Sequence, residues 1–513
     1  MEAARDAEEA EFQRQLSKAD LTIESFVNEE SLFEMLVPSK RGELAPCALL
    51  DGEWMLKRAA KLHGLSRDAR KKYALPRRQY LERHHPEAFM SAATLRKLER
   101  GDERINSPLP LVCVSHCWHS RDHPDPYGDN LLILEEAVIK ARNVERFPAG
   151  KFAVFFDWVS LHQRDKRGRR TAKEQTAFGH ALSKMQLWYA HMKTIVFLLT
   201  ETPQGWPAES KPYTERGWPS FERMITMILK HQSKKCWATI CDVGAFAEGG
   251  VGRTVLEPPK DVHSFEEMLN TVEFTNGADR RTVLALYRET LHVALGQARS
   301  LRYTGLQWGD GEMGGLTRVL PLCKNLVYLN LKGAHNKYTA DAAASLAAVL
   351  RDEQHLPRLK MIGAGCNAKE KDDQGPLLED AELRRICEVR GVKLLRDVPF
   401  ELVQPHFHSS SRQSGHLHWG LFRQLHAAMR RSHEEGHEVR RRRSSVAVSL
   451  GSYANLASLV AGLPGRVSSR ADSWSKWRSS SLSERPSDLA ISGEESSVFN
   501  EEDTKELDRS VAT

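Results

Sequence analysis

Three groups of polar and aromatic residues stand directly after apolar segments and could together form a ligand site. Residues 115–118 (SHCW) follow the first apolar run, and residues 157–158 (DW) follow the second. Residues 216–222 (RGWPSFE) open an amphipathic segment. In parallel α/β sheets, ligands bind outside the carboxyl ends of the strands. We therefore expect four polar side chains to meet at one edge of a sheet: Ser115, His116, Asp157 and Glu222.

Each of these side chains also has a purely structural interpretation. A carboxylate in the first turn of a helix is stabilised by the helix dipole, so Glu222 could serve only its own helix. Asp157 could cap the loop that follows its strand. Trp118 and Trp218 could line a cleft, although tryptophans near a helix start are more often core residues. The residue types alone leave these alternatives open.

Apolar segments predict the strands that carry these groups. Residues 111–114, 152–156 and 194–199 are continuously apolar or nearly so, and residues 236–240 form a further plausible strand. Since the three main segments do not alternate apolar with polar residues, each is expected to be buried on both faces, as in a parallel sheet.

Helices are predicted between these strands. Apolar spacing indicates one helix over residues 130–141, and the capping box Thr171-x-x-Glu174 begins a second. A third follows Pro219, because proline suits a first helical turn. Alternating strands and helices predict an α/β fold with a doubly wound parallel sheet.

The rest of the chain divides by composition. Residues 1–46 are acidic and helix-prone, and residues 47–107 are basic and predict a helical collar. The α/β domain with its closing helices is expected over 108–300, and a repeat segment over 301–398. Residues 399–513 are rich in serine and arginine and predict a disordered tail.

A weak repeat precedes that tail. Residues 326–331 (Leu-x-x-Leu-x-Leu) recur thirty residues later at 356–361, and residues 301–306 form a degenerate earlier copy. The pattern resembles leucine-rich repeats in which short strands and helices alternate. The expected asparagine comes late, at Asn336 and Asn367. Because so few repeats cannot stand alone, we expect them to dock against the α/β domain and to bind protein partners.

Composition narrows the classes of function. The eight cysteines show no disulfide spacing, which predicts reduced thiols in the cytoplasm, with the nucleus as an alternative. No apolar run approaches the ~18 residues that cross a bilayer, so no membrane partner is expected. The net charge is +6, with basic patches at 57–100 and 440–443. Such patches are usually solvated faces, so nucleic acid is not an expected partner.

Four motifs in order resemble the heterokaryon-incompatibility (HET) domain, a relative of Toll/interleukin-1 receptor (TIR) domains. They are VSHCWHS, FFDWVSLHQ, KMQLWYAHMKTIVFL and ERGWPSFE, within residues 109–243. In TIR enzymes a tryptophan often stands four residues before the catalytic glutamate, and Trp218 and Glu222 keep that interval. Departures are His116, where the family has tyrosine, and His119, where it has glycine.

The resemblance implies a signalling or defence-type protein that acts through protein–protein interaction and self-association of its α/β domain. It implies, alternatively, an NAD+ glycohydrolase that cleaves the nicotinamide–ribose bond. NAD would then be a substrate, and no cofactor would be required. Glu222 would be the catalytic carboxylate, helped by Ser115 and Asp157. Expected ligand contacts come from five further residues: His116, Trp118, Gln163, Arg216 and Trp218.

Two further hypotheses concern charged loops. The loop after the second strand could meet a pyrophosphate, although such a loop is more often a solvated or partner-docking surface; its arginines are Arg164, Arg167, Arg169 and Arg170. Residues 116–123 contain His116, Cys117, His119 and His123, which could ligate a metal. With no second ligand cluster in the sequence, we do not expect a metal site.

Overall fold

The computed structural model describes most of the chain up to residue 396. The first twenty residues and the predicted tail, 399–513, lie outside the described residues, as does most of the predicted strand at 236–240. The described ranges are 21–98, 109–120, 122–142, 150–203, 205–206, 210–230, 240–244, 257–333, 336–365 and 375–396.

A six-stranded mixed sheet forms the centre of the fold. Its strands are β1 (Leu49–Asp51), β2 (Phe89–Met90), β3 (Leu111–Ser115), β4 (Ala153–Phe155), β5 (Ile195–Leu198) and β6 (Ile240–Asp242). They lie in the order β2-β1-β4-β3-β5-β6. The four strands β4, β3, β5 and β6 are parallel, whereas β1 runs antiparallel to both β2 and β4. The prediction of an α/β fold is confirmed, but the prediction of a purely parallel sheet is wrong.

The two antiparallel strands come from the segment that predicts a helical collar. Leu49 and Leu50 continue the sheet beyond β4, and Asp51 then ends the strand by capping the helix that follows. The Asp51 carboxylate accepts hydrogen bonds from the backbone N–H groups of Glu53 (2.9 Å) and Trp54 (3.0 Å). The apolar spacing around Leu50 and Trp54 thus spans a strand and a helix, which periodicity alone could not separate.

Helices cover both faces of this sheet. The helix over Asp129–Arg142 packs Leu134 and Val138 against one face, with Val112 and Val114. The helices of the described residues before residue 300 are α1 (Glu30–Glu34), α2 (Gly52–Ala60), α3 (Arg67–Arg70), α4 (Arg78–His84), α5 (Ala92–Lys97), α6 (Asp129–Arg142), α7 (Asp157–Ser160), α8 (Ala172–Ser183), α9 (Gln186–Ala190), α10 (Gly217–Leu229), α11 (Val262–Thr271) and α12 (Asp279–Gln297). Of these, α9, α10 and α12 lie on the opposite face. Among the described helices, none is both long and apolar enough to cross a bilayer.

The capping box is present at the start of α8. Thr171 Oγ1 accepts from the Glu174 N–H at 3.3 Å, and the Glu174 carboxylate accepts from the Thr171 N–H at 2.7 Å. The helix ends at Ser183, however, and a second helix, α9, begins at Gln186. The turn between them lets α9 lie flat against the core, where Trp188 stacks on Phe155 at 4.5 Å between ring centroids.

A second, four-stranded parallel sheet occupies the predicted repeat segment, in the order β10-β9-β8-β7. Short strands alternate with helices, as the repeat pattern predicts, and the unit that ends in β10 was not predicted. The strands are β7 (Ser300–Arg302), β8 (Tyr328–Asn330), β9 (Met361–Gly363) and β10 (Lys393–Leu395). The helices are α13 (Asp310–Val319), α14 (Ala340–Arg351), α15 (Pro376–Glu379) and α16 (Ala381–Val389).

The strand–helix units share one core with the α/β part. Leu316 and Leu329 belong to the same buried apolar cluster as Leu291 of α12 and Phe221 of α10. Helix α12 therefore joins the two sheets, because it packs on α10 at one end of this cluster and borders the first unit at the other. The expectation that the repeats dock against the α/β part agrees with this continuous core.

Asn336 ties the first two units together. Its side-chain oxygen accepts from the backbone N–H groups of Leu306 (3.0 Å) and Trp308 (3.2 Å). Its amide nitrogen donates to the Leu331 carbonyl at 2.8 Å. Although it comes late in the repeat pattern, Asn336 thus accepts hydrogen bonds from the backbone of the turn after β7.

We expect Asn336→Ala to lower the free energy of unfolding by about 2 kcal/mol, since it leaves two half-buried N–H groups without an acceptor. Urea unfolding followed by tryptophan fluorescence measures the change. Asn325→Ala is the matched control, because Asn325 makes a single side-chain bond, to the Gly296 carbonyl at 2.8 Å. Equal losses for the two variants would contradict the bridging role of Asn336.

Candidate functional site

Ser115 and Glu222 are in direct contact at the carboxyl end of β3. Ser115 is the last residue of the strand and is fully buried, and its Oγ lies 2.5 Å from Glu222 Oε2. Glu222 is the sixth residue of α10, which begins at Gly217, before Pro219. The dipole effect is largest in the first turn of a helix. Glu222 lies beyond that turn, so the alternative that it only complements its own helix is not supported.

Two tyrosines that the sequence analysis did not single out as site residues complete this contact. The Tyr213 hydroxyl lies 2.6 Å from Ser115 Oγ and donates to the Pro219 carbonyl at 3.1 Å. Tyr189 contacts the Glu222 carboxyl and donates to the Val114 carbonyl at 3.3 Å. Tyr189 lies in the tyrosine-containing helix of the HET-like motifs. No sequence signal pointed to Tyr213. We call Ser115, Tyr189, Tyr213 and Glu222 the carboxyl network.

The surroundings of Glu222 favour its neutral form. The Tyr213 hydroxyl donates to the Pro219 carbonyl, and the Ser115 hydroxyl donates to Glu222 Oε2, so both protons are used within the network. Burial raises the Glu222 pKa well above its usual 4.5, and the charge of Asp157 raises it further, whereas the hydrogen bonds from Ser115 and Tyr189 lower it.

Asp157 lies at the neighbouring strand end, where it binds one other predicted residue, Trp118, and lies near a second, His116. Its Oδ2 accepts from Trp118 Nε1 at 2.7 Å, and its Oδ1 accepts from the Trp158 backbone N–H at 2.6 Å. His116 Nε2 lies 3.6 Å from Oδ1, and its ring packs on Phe156. Burial lowers the His116 pKa, which favours a neutral imidazole. Asp157 is thus the first residue of helix α7 and also holds Trp118 in place. These contacts agree with a structural role for Asp157 after its strand, and they do not exclude a second role.

Three predicted ligand contacts are engaged elsewhere in the protein. The Gln163 amide donates to three backbone carbonyls, among them that of Asp157 at 3.1 Å. Arg216 donates to the Trp118 carbonyl (3.2 Å) and to the Lys211 carbonyl. Trp218 Nε1 donates to Asp279 at 2.9 Å, and its ring packs against Phe221. These side chains hold loops and helices together around the strand ends.

The arginine loop is an exposed turn built around Asp165. The Asp165 carboxylate accepts from the backbone N–H groups of Arg167 (2.9 Å) and Arg169 (2.8 Å). Arg170 is directed away from the turn, because it donates to the His162 carbonyl at 2.7 Å and lies over the Phe178 ring. The Arg164 carbonyl accepts from Arg77 at 3.2 Å, which fixes the loop to the collar.

A narrow cleft adjoins the carboxyl network at the crevice between β3 and β5, and its enclosed volume is about 0 Å³. Ligand pockets usually measure ~300–1,000 Å³, so a dinucleotide does not fit this cleft as it stands. Glu222 is only 7% exposed, and Tyr213 lies between the cleft and Ser115. The cleft is lined by Cys117, Asn130, Leu199, Thr200, Glu201, Thr202, Pro203, Trp206, Lys211 and Tyr213.

The histidine-rich loop does not form a metal site in the described part of the chain. No three side chains of histidine, cysteine, aspartate or glutamate converge there on a position that could hold a metal ion. His119 packs edge-on against Trp206 at 5.1 Å, and His123 contacts the Leu75 carbonyl at 3.1 Å. Comparison with known proteins adds no assignment: no family model matches the chain, and no curated protein or solved structure matches it significantly.

We expect Glu222→Gln to stabilise the protein at alkaline pH. Because burial raises the folded-state pKa above the unfolded one, wild type loses stability as pH rises above about 4.5, by up to about 1.4 kcal/mol per pH unit. Glutamine keeps an acceptor oxygen for the Ser115 hydroxyl and carries no charge, so the stability advantage of the variant is absent near pH 4 and grows toward pH 8. Urea unfolding across this range measures it. A constant difference at all pH values would contradict a buried, neutral Glu222.

Proposed function

We propose that the chain is a HET/TIR-like signalling or defence-type protein that acts through protein–protein contact. The strand–helix units, taken as leucine-rich repeats, would bind protein partners, and the α/β part would self-associate, in the cytoplasm or the nucleus. One observation carries the proposal. The open face of the four-stranded sheet presents an ordered row of half-exposed and exposed side chains, whereas the opposite face is buried against the helices.

That row crosses all four strands in register. Ser300 pairs with Tyr328, Tyr328 with Met361, and Met361 with Lys393. Tyrosine is enriched among the residues that dominate binding energy in interfaces, and methionine adapts to varied partners. The next residues of β7, β8 and β9, which are Leu301, Leu329 and Ile362, are buried on the side of the sheet that faces the helices. The open face is therefore available for contact with a protein partner, whereas the opposite face is used in the core.

We expect the double variant Tyr328→Ala/Met361→Ala to reduce partner recovery at least about fivefold in affinity purification with quantitative mass spectrometry, because it removes two adjacent anchors. Val389→Ser is the matched control, since Val389 is 72% exposed on α16 rather than on the sheet. The same loss for both variants, or no loss for either, would contradict partner binding through the row.

Hydrolysis of NAD is a second candidate, and the Ser115–Glu222 contact at a strand end supports it. Nicotinamide leaves NAD as a neutral molecule, so the reaction needs no strong general acid. A carboxylate that stabilises the cationic ribose suffices. In the closed arrangement Glu222 is buried and neutral, so activity would require Tyr213 to move aside and water to reach the carboxyl. Opening would then lower the Glu222 pKa and supply the negative charge.

If the protein has this activity, Glu222→Gln should lower NAD turnover at least about 100-fold, because the charge that stabilises the transition state is lost. Nicotinamide release by concentrated, purified full-length protein measures it. Glu215→Gln is the matched control, as Glu215 is an exposed carboxylate seven residues earlier. Equal turnover by wild type and Glu222→Gln would exclude this chemistry, and so would the absence of nicotinamide release by forced oligomers of wild type.

A further inference from the structure

A strongly basic surface lies on the collar side of the large sheet, apart from the row and the carboxyl network. Residues 57–84 contain ten lysines and arginines against two acidic residues, a net charge of +8. Residues 164–170 contain five against one, a net charge of +4. The whole chain carries only +6. Together these two segments carry a net charge of +12, twice that of the whole chain.

The fold joins the two segments into one surface. Arg58 of α2 donates to the carbonyls of Tyr73 (2.8 Å) and Ala74 (3.1 Å), which attaches the 71–77 segment to α2. Arg77 then donates to the Arg164 carbonyl at 3.2 Å, and the next helix, α4, packs against α7. We call residues 57–84 and 164–170 the basic surface. Along the chain these patches are eighty residues apart, which is why the sequence did not indicate a shared binding face.

Part of this charge is neutralised within the protein, but much is not. Arg67 and Arg70 bind Asp129, and Arg78 is buried among backbone carbonyls. The acidic residues are also committed, since Asp68 pairs with Lys71. Glu82 pairs with Arg78, and Asp165 caps its own turn. Exposed cations outnumber exposed acids on the surface; they include Lys57, Lys61, Arg83 and Arg167.

Half-exposed aromatic rings lie among these cations. Tyr80 of α4 packs on His84 at 4.5 Å between centroids, and Trp54 of α2 lies beside Arg58. Proteins that hold single-stranded nucleic acid combine such rings, on which bases stack, with a basic track for the phosphates. A membrane surface would instead favour exposed large apolar side chains. Within the described residues these are Val37, Leu44, Ile139 and Val389, which lie elsewhere.

We propose that the basic surface binds single-stranded nucleic acid. Lysines and arginines of residues 57–84 and 164–170 contact the phosphates, and bases stack on Tyr80 and its aromatic neighbours. Recognition by charge and stacking does not select a base sequence, so RNA and DNA of mixed sequence both bind. This inference is independent of NAD hydrolysis and of partner binding by the row.

The electrostatic part is tested by fluorescence anisotropy with the full chain and labelled single strands of about 20 nucleotides. The quadruple variant Arg164→Gln/Lys166→Gln/Arg167→Gln/Arg169→Gln should weaken binding at least about tenfold near physiological salt. It should also reduce the slope of log K against log salt by about 3, at ~0.7 per charge lost. The control removes four exposed charges from the strand–helix units: Lys324→Gln/Arg358→Gln/Lys360→Gln/Arg384→Gln.

The stacking part is tested at Tyr80. Tyr80→Leu should weaken binding roughly fivefold or more, whereas Tyr80→Phe, which keeps the ring, should bind like wild type. Thermal unfolding of each variant checks that the fold is retained. The proposal is overturned if wild type does not bind single strands, if both quadruple variants lose the same amount of affinity, or if Tyr80→Leu does not change the affinity. Binding to phosphatidylserine vesicles in place of nucleic acid would also overturn it, in favour of a membrane surface.

Discussion

The complete burial of β3 is the constraint on which the rest of the structure depends. The strand hydrogen-bonds to β4 on one side and to β5 on the other, and all five of its residues are buried. Helices cover both faces, so an unpaired polar side chain within the strand would cost several kcal/mol. Polar groups can therefore stand only where the strand ends. Ser115 is that residue, and the carboxyl network is assembled around it.

The carboxyl network has a consequence for how a site of this kind can work. Glu222 is stable there because it is neutral and because Ser115 and Tyr189 complete its hydrogen bonds. Exposure to water would favour the ionised carboxylate, which is the form that can stabilise a cation. Opening of the cleft and ionisation of Glu222 are thus linked. A protein whose α/β part serves mainly for contact with other proteins would keep the closed, neutral form.

The basic surface and the strand ends share structural supports. The Leu75 carbonyl, within the basic surface, accepts from Trp158 Nε1 at 2.9 Å, and His123 contacts the same oxygen at 3.1 Å. Trp158 in turn packs edge-on against Trp118. The 71–77 segment is therefore fastened directly to the loops after β3 and β4. The segment that Arg77 attaches to the arginine loop is thus also held to the strand ends.

Local patterns in the sequence determined the buried strands, the helix after Thr171 and the alternation of short strands and helices near the C-terminal end of the described residues. Burial on two faces and helix capping act over a few residues, so they are visible in any short stretch. Only the tertiary structure decided that Leu49–Asp51 extends the sheet, that Tyr213 covers Ser115, that Gln163 binds backbone carbonyls and that Trp218 binds Asp279. Those outcomes depend on which side chains compete for one position in space, and neighbours far apart in the chain settle that competition.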